Sequence, residues 1–110
     1  METAAIVLSV DQDQTEEFEA GFRQHEVPIW QDFFDRGVMV WASLQRMDIS
    51  SQPRAGARQY LVVAVFATDE GHHLHDSDPR FRAWDQIADS FQVAPAMAFG
   101  GETVIKVGPN

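Results

Sequence analysis

Three of the four histidines crowd into four positions, as His72, His73 and His75. Histidine exchanges its proton near neutral pH, so each is a candidate general acid or base. On extended backbone, His73 and His75 share a face with His72 opposite. On a helix, His72 and His75 meet at i,i+3. Asp69, Glu70, Asp76 and Asp78 surround the cluster, and a neighbouring carboxylate can orient an imidazole or raise its pKa. The plainer alternative is a solvated polar loop. The fourth histidine, His25, stands three positions before Pro28. It is a candidate acid/base in a pocket opened by a bent helix, or a residue that satisfies loose carbonyls there. The spacing fits neither HExxH nor a facial-triad sequence, so no metal site is expected.

Four more residue types could hold or polarise an organic molecule. Tyr60 carries a phenolic proton that could meet a developing phenolate or enolate. Arg46 could neutralise a ligand carboxylate or form a salt bridge across a dimer. Trp41 alternates with Ser43 and Gln45, a pattern that suits either a cavity wall against a planar ligand or a polar-edged subunit interface. Trp30 and Phe34, on the segment after Pro28, could hold an aromatic ring. Trp84 belongs to an amphipathic stripe and reads as core.

The elements that must position these groups follow from periodicity. Residues 4–10 alternate as a strand, Ala4, Ile6, Leu8 and Val10 on an apolar face and Ala5, Val7 and Ser9 on one that is only weakly polar. Asp13, with Glu16 three residues later, reads as a capping pair for a helix carrying Phe18 and Phe22. Pro28 is expected to break that helix, with a second short segment ending at Gly37. A second strand runs from Val38 to about Ile49. Residues 59–67, apolar on both faces, form a central third strand beyond the turn at 52–57. After the charged stretch 68–78, Asp78-Pro79 caps a helix bearing Phe81, Trp84, Ile87, Ala88 and Phe91. A last strand covers about 96–107. Gly100-Gly101 precedes this strand rather than a helix and is no phosphate loop. The 110 residues therefore form a single domain, 1–110. Its class is α+β, a ferredoxin-like split βαβ with a four-stranded antiparallel sheet and two helices on one face.

Such helices cover one sheet face only. Whichever row of the third strand meets them, the other row is apolar, and an exposed patch of that extent calls for a partner. A homodimer, its two sheets face to face, supplies one. The net charge of −9, from 17 acidic against 8 scattered basic residues, argues against nucleic acid and anionic membranes. No secretory signal or 18-residue apolar run is visible, and cysteine is absent. The expectation is a cytoplasmic protein.

The element order, the Pro28-interrupted crossover ending at Gly37 and the Asp78-Pro79-Arg80-Phe81 helix start together resemble the dimeric α+β barrel superfamily over residues 4–107. That superfamily includes antibiotic-biosynthesis monooxygenases, aromatic polyketide cyclases, EthD-like proteins and stress-responsive barrel proteins. The resemblance implies sheets paired in a dimeric barrel and a small organic ligand in a pocket between sheet and helices. The Asn/Trp/His set of the haem-degrading members has no match here. Two functions stand in contention. One is a cofactor-independent monooxygenase or cyclase that moves a proton with a histidine, the ring held by Trp30, Phe34 and Trp41. The other is a non-catalytic ligand-binding or stress-associated barrel.

Overall fold

The computed structural model describes residues 1–109. Seven elements follow in order: β1 (Glu2–Asp11), α1 (Thr15–Asp35), β2 (Met39–Arg46), β3 (Ala57–Phe66), α2 (Gly71–Asp76), α3 (Pro79–Asp89) and β4 (Met97–Glu102). The strands form one antiparallel sheet in the order β2-β3-β1-β4. The doubly apolar β3 and β1 are central. The helices bury the sheet's Leu8, Val10, Tyr60 and Val62 side under Phe18, Phe22, Trp84 and Ala88. A second cluster joins Ile29 and Phe33 of α1 to Met39, Ala64 and Phe66. Trp30 and Phe81 pack against both clusters.

Four local expectations need correction. First, Asp13 does not cap α1. Its backbone N–H donates to Asp11 Oδ1, and the cap position falls to Gln14, which makes no side-chain cap bond. Second, α1 runs unbroken through Pro28. Proline deprives the Gln24 carbonyl of its helical donor. However, both residues are exposed, so water can serve that carbonyl, while Ile29 and Phe33 pull the next turns onto the sheet. Third, β4 stops at Glu102, opposite the start of β1 at Glu2, and only the Thr103 N–H bond to the Met1 carbonyl follows. Val104, Ile105 and Val107 project past the sheet at 85% exposure or more. Fourth, the even alternation that a second strand from Val38 implies, with Met39 and Trp41 on one face, does not hold. A register shift separates them, so Met39 enters the helix-side core while Trp41 stands across from Val65 on the rear face.

The helix ends behave as their residues require. Gly37 takes φ +75°, and its N–H bonds the Phe34 carbonyl, a left-handed stop that glycine adopts without strain. Asp78 Oδ1 accepts from the Arg80 N–H at the start of α3. The Arg80 guanidinium bonds both Asp78 and Asp32 of α1. Hydrogen bonds from Arg80 hold the Asp78 carboxyl down to about 2.

Candidate active site

A cavity of about 680 Å³ lies between the three helices and the sheet. Its sides are mostly apolar: Ile6, Leu8 and Val62 on the sheet, Phe22 and Trp30 on α1, and Trp84 on α3. α2 closes one end with His72 and His75. This short helix is seated by a close approach, since a Cβ at Gly71 would fall 2.5 Å from the Phe66 ring. It is then tied at two points. His72 Nδ1 bonds Glu2 of β1, and His75 Nε2 bonds Glu26 Oε1 of α1 at 2.5 Å.

His75 and Glu26 form a dry pair, their side chains 12% and 4% exposed. The second ring nitrogen of His75 lies 3.0 Å from Asp76 Oδ1. Burial alone would push the imidazole pKa down. The hydrogen bonds and charges of Asp76 and Glu26 outweigh it and raise the pKa from 6.5 to about 9. At neutral pH, His75 is an imidazolium donating to two carboxylates. The charged lining residues other than histidine are all acidic: Glu2, Asp85 and Asp89 join Glu26 and Asp76, with no arginine or lysine among the lining residues. Burial, then the neighbouring Asp89 and Asp76, raises the Asp85 pKa. Gln92 also lines the cavity, its buried Oε1 without a partner among the described residues.

The sequence candidates fall into four places. His72, His75 and Trp30 line this cavity. Tyr60 and Arg46 instead line a second cavity of about 480 Å³ on the other side of α1, where Phe22 and Trp30 recur as lining residues. There Glu19 Oε2 accepts from the Tyr60 hydroxyl at 2.6 Å and from Arg46 at 2.7 Å. Those two bonds lower the Glu19 pKa. Burial, then the bond to Glu19, raises that of Tyr60, so its phenol stays protonated. Trp41 occupies the rear face of the sheet, 48% exposed. His25, His73 and Phe34 line neither cavity. His25 stacks on Trp84 at 5.3 Å and 15°, His73 is exposed beside His72, and Phe34 is 55% exposed.

Three carboxylates that organise these sites, Glu2, Glu19 and Glu26, escape a search for histidines and aromatics. For Glu26 a signal exists. It follows Phe22 by four and precedes Ile29 by three, on the buried stripe of α1. A charged residue on that stripe needs a buried partner.

Among the described residues, no group of three His, Cys, Asp or Glu side chains is arranged to hold a metal ion. No helix there is long and apolar enough to cross a membrane.

Solved structures match nearly the whole chain. One from Nitrosomonas europaea, provisionally described as an antibiotic biosynthesis monooxygenase, superposes with a TM-score of 0.75 at 12% identity, covering 97% of this chain and 93% of its own. The fold of the chain is that of the antibiotic biosynthesis monooxygenase-type structures. A Caulobacter crescentus protein with the same provisional description matches at TM-score 0.75 and 15% identity, over 94% of this chain and 90% of its own. A mutant form of SnoaB, a cofactor-independent oxygenase from Streptomyces nogalater, matches at TM-score 0.68 and 15% identity, over 98% of each chain. No family model and no curated protein sequence matches the chain.

Proposed function

We propose that the protein is a small enzyme acting on an uncharged aromatic or polyketide-like molecule in the larger cavity, by cofactor-independent oxygenase or cyclase chemistry in which His75 handles the proton. The observation that carries this reading is the buried His75 ring, held on both nitrogens by Glu26 and Asp76, in the wall of an otherwise largely apolar chamber. The description of SnoaB supports the oxygenase type. A planar ring fits against Phe22, Trp30 and Trp84. When such a substrate passes a proton from an acidic carbon or a phenol to the Asp85 carboxylate, whose pKa burial raises, negative charge develops on its oxygen. The His75 imidazolium faces that charge and returns a proton. Glu26 and Asp76 act through His75 and are positioning residues. The Gln92 Oε1 is an acceptor for a substrate hydroxyl. The acidic lining disfavours a ligand carboxylate in this chamber.

Oxygen uptake with a panel of anthrones and hydroxynaphthalenes tests the reading. Turnover is expected to fall as pH rises through about 9, where His75 loses its proton. His75→Gln should lower kcat by about 10²-fold. Glu26→Gln should move the alkaline limb to lower pH, because one carboxylate no longer holds the proton. Unchanged turnover and pH profile in both variants overturn the assignment. A second, non-catalytic reading rests on a different fact: both nitrogens of His75 are already paired, and the ring ties α2 to α1. It requires ring binding without turnover by the wild-type protein.

We also propose that a second copy of the chain covers the rear of the sheet. Ala5, Val7, Leu61 and Val63 lie there, half-buried, bordered by Trp41 at 48% and Phe99 at 63% exposure. The two-fold pairing of such faces hides both at once. Sedimentation at micromolar concentration should give a dimer, and Val63→Asp, at the centre of this face, should shift it to monomer. A wild-type protein that sediments as a monomer defeats the pairing.

A further inference from the structure

The second cavity differs from the first in charge and in what its polar groups still need. Arg23, Arg46 and Glu19 line it, so its formal charge is +1. Glu19 spends Oε2 on Tyr60 and Arg46. Arg46 also interacts with the Tyr60 hydroxyl, and its five N–H groups exceed these two partners. The Arg23 side chain makes no hydrogen bond or ion pair among the described residues and reaches Glu19 only through its charge. Ser43 Oγ accepts at 3.4 Å from Gln45, which keeps its own proton for donation. Apart from Glu19 Oε1 and the hydroxyl oxygens, the polar side-chain capacity left in this chamber is that of donors. Beside them runs an apolar strip of Val27, Trp30 and Leu44.

We propose that this cavity is a separate binding site for an aromatic carboxylate, the ring lying on Trp30 and Leu44 and the carboxylate meeting Arg46 and Arg23. Planar guanidinium forks match a carboxylate with two parallel N–H···O bonds. Glu19 limits the choice, because a single net positive charge suits a monoanion and repels a dianion such as a phosphate monoester. The protonated Tyr60 phenol adds no further negative charge. The site does not depend on chemistry in the larger cavity.

The test is calorimetric titration of the full chain with 2-naphthoate, against 2-naphthylmethanol and 2-naphthyl phosphate as the neutral and dianionic analogues. The naphthoate should bind saturably and at least tenfold more tightly than either analogue. Arg23→Gln and Arg46→Gln should each weaken it about tenfold, the loss of one charge-assisted contact, and added salt should weaken it in the wild type. His75→Gln and Glu26→Gln should leave it within about twofold. Absence of saturable binding, equal affinity for the alcohol, or preference for the phosphate overturns the proposal. So does loss of binding in the His75 and Glu26 variants with none in the arginine variants. Arg23→Gln breaks no bond seen in the structure, so the test survives a poorly folding Arg46 variant.

Discussion

The two sides of α1 carry two acid–base clusters of opposite design. On the side facing α2, His75 and Glu26 are shut away from water at 12% and 4% side-chain exposure. On the side facing β2, Arg46 and Glu19 remain at 56% and 20%. Sequestration strengthens the first pair electrostatically and fixes it in one geometry, at the cost of desolvation if either partner is lost. Solvent screens the second and leaves its cation free to trade partners. One helix thus holds a rigid proton-bearing group on one flank and an adaptable charge on the other. The first suits chemistry and the second suits recognition.

The contrast can be broken at its strong end first. His75→Gln removes the cation while Glu26 stays buried, and stability should fall by about 3–5 kcal/mol, read from urea unfolding at neutral pH. The wild type should show the same linkage through pH. The folded-state pKa of His75 lies above its unfolded value of 6.5. Its contribution is therefore complete below pH 6.5 and declines as pH rises through about 9. Melting temperature measured from pH 6 to 10 should drop across that window in the wild type, and the drop should be smaller in His75→Gln. At the weak end, Tyr60→Phe deletes one donor to Glu19 and should cost about 1 kcal/mol. Arg46→Gln should leave the melting temperature unchanged within error, since its partner keeps Tyr60 and water. An Arg46 variant as unstable as His75→Gln would erase the distinction between the flanks.

The sheet was legible because alternation in 4–10 and 59–67 is a local property of strands with buried faces. Gly37 and Asp78-Pro79 announced their turns for equally local reasons. The errors came where one element depends on another. The end of β4 is set by where β1 begins, which no feature of residues 103–107 reveals. The parity of β2 is broken by the register shift near Val40, and such a shift arises in pairing with β3. Pro28 forbids one hydrogen bond, yet packing of Ile29 and Phe33 carries the helix through it. The site was legible by residue type and not by grouping. His75, Tyr60, Arg46 and Trp30 were all candidates for one pocket, but β3 and α1 divide them between two. His25 misled because the expected break at Pro28 does not form: α1 is continuous there, and His25, one step of about 100° from Glu26, stacks on Trp84 instead.

Phe22 and Trp30 line both chambers, their rings 5.1 Å apart in an edge-to-face contact. A guest that turns either ring reshapes the neighbouring compartment. By thermodynamic reciprocity, each occupant must then alter the affinity of the other by the same factor. For the two guests proposed above, a partition built from these two aromatics would couple the sites heterotropically.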